Sequence, residues 1–187
     1  MNSKLKKFLN KYDDNNRYSF NQIQYRSGAT FTSYFGLTDG YRIVDGRYVW
    51  DTIRVHSGVD RSAYYDRNGN KIENVVYAPF DFQRSEYQVY GENHTYGSLI
   101  RLFNDEFGFE MRIAHMAPQK NLNPEALKRF SQNRGIPRNM YLGTAGNYGV
   151  SDGAHTHTEI VSMSSTSSIF DEILREKYGE EADEGLA

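Results

Sequence analysis

Short runs of apolar and aromatic residues, separated by turns that contain glycine, fill most of this sequence. Between Tyr18 and Trp50 the turns are Ser27-Gly28, Phe35-Gly36, Asp39-Gly40 and Asp45-Gly46. Later runs of the same kind lie at 74–79, 85–90, 98–104 and 109–115. Such runs are typical of β-strands, and 15 tyrosines, 11 phenylalanines and 16 glycines favour the same structure. The sequence therefore predicts a mainly β fold, with an antiparallel sheet or a β-sandwich-like core.

Three segments are expected to be helical. The clearest begins at Asn123, which is a favourable cap, and continues through Pro124 and Glu125 to Phe130. It lies inside an insertion from Ala117 to Met140. Short terminal helices are predicted at 3–12 and 169–178, and an acidic tail follows the second of these.

Length and composition narrow the possible functions. A chain of 187 residues fits one domain with a real core. Its net charge of -2 gives no field that would attract nucleic acid, and no run is long and apolar enough to insert into a membrane. The N-terminus lacks the apolar centre of a signal peptide. Because there are no cysteines, His, Asp and Glu are the strong metal ligands that remain.

The few histidines suggest a metal site. His155 and His157 lie two apart in a predicted strand, so their side chains share one face. Another histidine, His56, is four residues before Asp60. Together these pairs offer ligands for a tetrahedral zinc ion (Zn2+) with an open position, although iron uses the same ligand types. Taken separately, the pairs are also compatible with a surface hydrogen bond and with two exposed strand histidines.

The order of these motifs resembles that of the lysostaphin-type zinc metallopeptidases, which are β-rich peptidoglycan endopeptidases. Their signature is His-x-x-x-Asp, commonly with glycine at the third position, then a lone His after a strand, then His-x-His. In this sequence the three motifs are His56-Ser57-Gly58-Val59-Asp60, His115 within Arg112-Ile113-Ala114-His115-Met116, and His155-Thr156-His157. Similar flanking segments lie at 33–36, 76–79, 96–97 and 142–146, and the resemblance extends from about Gly28 to Val161.

The resemblance implies a role for each matching residue. His56, Asp60 and His157 would bind zinc, and His115 and His155 would lie beside the metal as catalytic residues. It leaves open which of the last two is the base. Thr156 and Thr158 replace apolar residues of the family motif, but on a strand they point away from the metal.

Several residues keep a second interpretation. His115 follows a strand with apolar alternate residues, so a packed core histidine is the alternative. Glu159 shares the face of the paired histidines and either orients a ligand imidazole or, as the favoured interpretation, is an edge or solvent residue. His94 is interpreted as a loop histidine. The insertion is expected to be either a wall or lid over a substrate groove or a surface elaboration.

The predicted function is hydrolysis of peptide bonds in the stem peptides or cross-bridges of bacterial peptidoglycan by a zinc metalloendopeptidase. The predicted parts are an N-terminal segment (1–27), the metallopeptidase domain (28–163) and a C-terminal helix with an acidic tail (164–187). Action at the bacterial cell wall without a signal peptide favours a bacteriophage enzyme. Such an enzyme would be carried by the virion with tail proteins, released on lysis or part of a longer chain. The alternatives are a non-catalytic or latent peptidoglycan-binding module and a metal-dependent enzyme for another small substrate.

Overall fold

The computed structural model describes residues 7, 8, 10, 11, 30–33, 36–56, 58–62, 64–65, 67–72 and 74–163. The strands in this part of the chain are β1 (Thr30–Ser33), β2 (Gly36–Val44), β3 (Arg47–His56), β4 (Val59–Ser62), β5 (Tyr64–Tyr65), β6 (Lys71–Ile72), β7 (Val75–Tyr77), β8 (Arg84–Val89), β9 (Ser98–Asn104), β10 (Phe109–Ala114), β11 (Tyr141–Thr144) and β12 (His155–Ser162). Helix α1 spans Pro124–Ser131. The described residues include no helix of the length and hydropathy needed to cross a membrane.

Six of these strands form one sheet in the order β1-β4-β12-β10-β9-β8, in which every neighbouring pair is antiparallel. Three smaller sheets pair β11 with β7, β2 with β3, and β5 with β6. The prediction of a mainly β, antiparallel fold is confirmed. Of the predicted terminal helices, the described residues 7, 8, 10 and 11 are helical, and the segment 169–178 lies outside the described residues.

The six-stranded sheet has one face in the hydrophobic core. Phe109, Met111 and Ile113 alternate along β10, are fully buried and point to the same side. Opposite them in the antiparallel register, Thr158 and Ile160 of β12 pair with Ile113 and Met111. The intervening residues of each strand belong to the other face, which carries the candidate site.

Helix α1 begins as the sequence predicts. The Asn123 side chain accepts a hydrogen bond from the main-chain N–H of Glu125 at 3.3 Å, and Pro124 occupies the first turn. The helix buries Ala126 and Phe130 in the core cluster, and the Phe130 ring stacks on Tyr87 at 6.3 Å. The helix therefore packs on the core side of the sheet, opposite the face that carries the candidate site, and the role of the rest of the insertion stays a prediction.

A residue of the N-terminal segment also belongs to this core. Phe8 is fully buried, with its ring centroid 5.2 Å from those of Phe80 and Phe107 and 6.1 Å from that of Phe109. Nearby, the Lys11 ammonium lies 2.9 Å from the Glu106 carboxylate. The described part of the N-terminal segment thus packs on the side of the sheet that faces away from the candidate site.

Replacing Phe8 with Ala is expected to lower the free energy of unfolding by about 3–5 kcal/mol, because it removes a buried ring and leaves a cavity. Denaturant unfolding of the purified protein measures this loss. Lys7→Ala is the matched control, because Lys7 is exposed beside Phe8 and its change should have little effect. Unchanged stability of Phe8→Ala would contradict the packing described.

Candidate metal centre

Strand β12 brings three side chains of the candidate site to one face of the sheet. His155, His157 and Glu159 alternate with Thr156 and Thr158, which are buried on the core side. In the register with β4, His157 lies directly opposite Asp60, a second predicted ligand. The carboxylate and the imidazole meet because two neighbouring strands are paired in this register.

Both ring nitrogens of His157 contact carboxylates. Nδ1 lies 2.8 Å from Asp60 Oδ1, and Nε2 lies 2.9 Å from Glu159 Oε1. Burial disfavours the charged imidazolium, but the hydrogen bonds to Asp60 and Glu159 prevail and raise the pKa of His157 to about 9. The two carboxylates thus stabilise positive charge at the position of the His157 ring.

The donors at this point fit a zinc ion. An imidazole nitrogen and a carboxylate oxygen are ordinary zinc ligands, and a cation between Nδ1 and Oδ1 can take the place of the shared proton. Glu159 accepts from Nε2–H, which leaves the lone pair on Nδ1 for the metal, as carboxylate–histidine–zinc arrangements do. The third predicted ligand, His56, ends β3, and its side chain lies outside the described part. Among the described side chains, no group of three His, Asp or Glu residues forms a ready metal cage.

His115 lies just past the end of β10 in a left-handed backbone conformation, with φ of 71°. Its Nδ1 is 3.0 Å from the carbonyl oxygen of Tyr148. A carbonyl only accepts, so Nδ1 carries the hydrogen and the lone pair of the neutral ring is on Nε2. Burial lowers the pKa of His115 and thereby favours the neutral ring. His115 is therefore buried, as the core interpretation has it, yet it is turned toward the candidate site.

His155 lies against His115, with the two ring centroids 4.5 Å apart. Its Nδ1 is 2.8 Å from the carbonyl oxygen of Gly153 and 3.1 Å from the Ser151 hydroxyl. The carbonyl again requires N–H at Nδ1, so the lone pair of neutral His155 is also on Nε2. The structure thus brings His115, His155, His157 and Asp60 together, as the sequence predicts.

Close backbone packing fixes the turn that carries His115. A Cβ at Gly146 would lie 2.2 Å from the carbonyl oxygen of His115, so no larger residue fits there. The Asn121 side chain accepts from the Ala117 N–H at 3.0 Å and donates to the Ala145 carbonyl at 3.2 Å. The start of the insertion is thereby tied to the segment after β11.

The glycine of the first motif has a steric reason of the same kind. A Cβ at Gly58 would lie 2.5 Å from the carbonyl oxygen of Thr158 and 2.9 Å from two ring atoms of His157. The backbone before β4 passes so close to the candidate ligand that only hydrogen fits. This glycine therefore allows the backbone before β4 to approach His157 closely.

Comparison with solved structures identifies the fold of this chain, whereas comparison with protein families and curated proteins finds no match. No protein-family model matches the sequence, and no curated protein matches it significantly. Among solved structures, a mutant form of the catalytic domain of the prophage-encoded M23 protein EnpA from Enterococcus faecalis is similar, with a TM-score of 0.50 and 16% identity over 77% of this chain and 88% of that one. The chain has the fold of the M23 catalytic domain.

Two further structures have lower TM-scores. A zinc-containing peptidase from Vibrio cholerae has a TM-score of 0.46 and 22% identity over 78% of this chain, which spans only 37% of that protein. The catalytic domain of the antimicrobial peptidase lysostaphin from Staphylococcus simulans has a TM-score of 0.45 and 17% identity, and the match covers 74% of this chain and 84% of that one.

Within this M23 fold, sequence reasoning misjudged one residue and missed two others. Glu159 is 5% exposed and contacts His157, so the favoured interpretation as an edge or solvent residue is wrong. Tyr96, which donates to Glu159, and Arg112, which pairs with Glu159 across the strands, appeared in the sequence only as residues flanking the motifs, with no role assigned. No local pattern in the sequence marks the contact of Arg112 with Glu159, because it depends on the pairing of β10 with β12. His94 is an exposed loop residue, as predicted.

Gly58→Ala is expected to weaken zinc binding by about 10-fold or more, because the new methyl group must displace both the Thr158 carbonyl and the adjacent His157 ring. Metal sites respond to such changes in ligand orientation. Competition with a coloured chelator measures the affinity. The control is Gly46→Ala in the exposed β2–β3 turn, where a Cβ meets nothing within 4 Å. That change strains a φ of +75° and should lower stability without changing zinc affinity. Equal zinc affinity of Gly58→Ala and the parent protein would refute the steric argument.

Proposed function

We propose that this protein is a zinc metalloendopeptidase that hydrolyses peptide bonds in the stem peptides or cross-bridges of bacterial peptidoglycan. The observation that carries the proposal is the grouping of Asp60 and His157, with Oδ1 and Nδ1 2.8 Å apart, beside the contacting rings of His115 and His155 on one face of a sheet with the M23 fold. The three motifs of the lysostaphin-type resemblance contribute these residues in the family's order.

In this proposal His56, Asp60 and His157 hold the metal. When bound, zinc supplies a Lewis acid for the scissile carbonyl and lowers the pKa of a bound water to about 7. Two of these three side chains are described, and both present donor atoms to the same point. Glu159 keeps the His157 ring in the orientation that directs Nδ1 toward Asp60.

His115 and His155 supply the proton transfers. Each ring has its Nδ1–H committed to a main-chain carbonyl, so Nε2 accepts a proton from the attacking water and returns it to the leaving amine. A protonated imidazole beside the tetrahedral oxyanion also stabilises its negative charge. The two rings are in contact, and the pair carries the acid and base roles between them.

The substrate in this proposal is an extended peptide that lies along the site face of the sheet. That face bears two partly exposed arginines, Arg112 on the strand beside β12 and Arg101 on the next strand. Arg112 contacts the buried carboxylates Glu110 and Glu159, and Arg101 contacts Glu110. We also propose a bacteriophage role at the cell wall, with virion or tail proteins as partners. Its support is the prophage-encoded M23 protein that has the same fold.

His157→Ala should lower hydrolysis of purified peptidoglycan by more than about 100-fold. Loss of a residue that only hydrogen-bonds to a metal ligand already lowers metal affinity or activity by about 10–100-fold, and loss of a ligand should do more. The measurement is mass analysis of released peptides with new amino termini, with and without a zinc chelator. The chelator should abolish release by the parent protein. The control His94→Asn changes an exposed histidine but keeps an acceptor for the Tyr96 N–H, and it should cut normally.

One outcome would contradict the enzymatic proposal directly. If the parent protein contains zinc yet releases nothing from several types of cell wall, the non-catalytic or latent binding module becomes the better account. Release that continues unchanged in His157→Ala would instead place the chemistry elsewhere in the chain.

A further inference from the structure

Tyr96 lies between the two histidine-bearing parts of the candidate centre, in the loop that leads into β9. Its hydroxyl donates to both oxygens of Glu159, at 3.0 Å and 3.2 Å, and its ring centroid is 6.3 Å from that of His157. Its carbonyl accepts from the main-chain N–H of His115 at 3.1 Å. One residue therefore contacts the carboxylate behind His157 and the backbone of His115.

The contact with Glu159 fixes a buried charge. The Glu159 side chain is 6% exposed and lies 2.9 Å from His157 Nε2. Arg112, opposite it in the β10–β12 register, is 3.7 Å away and supplies the positive charge, but this distance is long for a hydrogen bond. The Tyr96 hydroxyl, at 3.0 Å and 3.2 Å, is within hydrogen-bond distance of both carboxylate oxygens.

Tyr96 is itself held firmly by its own loop. Its main-chain N–H donates to His94 Nδ1 at 3.1 Å, and its carbonyl also accepts from the Ser98 N–H at 2.7 Å. The next residue, Gly97, has φ of +65°, and a Cβ there would lie 2.1 Å from the carbonyl oxygen of Tyr148. Two loops thus pack backbone against backbone, which limits the movement available to the Tyr96 ring.

We propose that Tyr96 is a positioning residue, whose hydroxyl orients Glu159 so that Glu159 holds Nε2–H of His157 and presents Nδ1 to the metal. The inference rests on the proposed function, because it assumes that His157 is a zinc ligand. A carboxylate behind a metal-bound imidazole fixes both its tautomer and its rotation. Removing the Tyr96 hydroxyl allows Glu159 and the His157 ring to move, while the proposed metal-binding atoms are all kept.

The test is the zinc affinity of the full chain, measured by competition with a coloured chelator. Tyr96→Phe removes the hydroxyl but keeps the ring and the backbone contact to His115. Its zinc dissociation constant should rise by about 10-fold, the lower end of the range for such partners. Tyr90→Phe is the control, because its hydroxyl contacts only the exposed Gln88 side chain among the described hydrogen bonds, and zinc affinity should not change.

A second variant shows whether Tyr96 acts through Glu159. Glu159→Gln keeps an oxygen acceptor for His157 Nε2–H but loses the charge, so its zinc affinity should fall. The hydroxyl is proposed to act through this carboxylate. Tyr96→Phe should therefore raise the zinc dissociation constant by a clearly smaller factor in the Glu159→Gln protein than in the parent protein. Equal losses in the two backgrounds would overturn the proposal.

The remaining outcomes separate this inference from the proposed function. A parent protein that binds zinc and cleaves peptidoglycan, with Tyr96→Phe binding zinc equally well, overturns only the role of Tyr96. A rise in KM with unchanged zinc affinity has the same meaning, since it makes the hydroxyl a substrate contact. A parent protein that neither binds zinc nor cleaves overturns the proposed function and this inference with it.

Discussion

The antiparallel pairing of β12 between β4 and β10 is the constraint on which the candidate centre depends. Its register places His157 opposite Asp60 and Glu159 opposite Arg112. Because side chains alternate along a strand, a slip of one residue would turn the histidines into the core and the threonines toward the site. Gly58 permits this pairing at close range, since any side chain there would collide with the His157 ring.

The two faces of the six-stranded sheet differ: one packs against the hydrophobic core, and the other carries the candidate site. The core face gathers apolar side chains of the strands, helix α1 and Phe8. The site face carries charge in an ordered row. Burial opposes ionisation of Glu110, but its hydrogen bonds to Arg101 and Arg112 prevail and hold the pKa of that carboxyl below its usual range. Arg112 also approaches Glu159, so a continuous set of paired charges runs from the sheet interior to His157.

The sequence predicted the elements better than the contacts. Alternation along His155–Ser162 and the cap at Asn123 are local signals, and both elements form where expected. The burial of Glu159 and the part played by Tyr96 depend on cross-strand register and on two loops packing together, and no local pattern encodes these. The predicted helix at 3–12 does not show that Phe8 enters the core, because that position depends on how the segment packs against Phe80, Phe107 and Phe109. The metal roles of His56, Asp60 and His157 stay predictions.

Crystals of the protein, shown by elemental analysis to contain zinc, allow the most direct test of this account. Anomalous diffraction at the zinc absorption edge locates the ion independently of any assumption about its ligands. The account predicts one strong peak about 2.0–2.2 Å from both His157 Nδ1 and an Asp60 carboxylate oxygen, with Glu159 still on Nε2. A peak beside Nε2 and Glu159, or one remote from both His157 and Asp60, would contradict it.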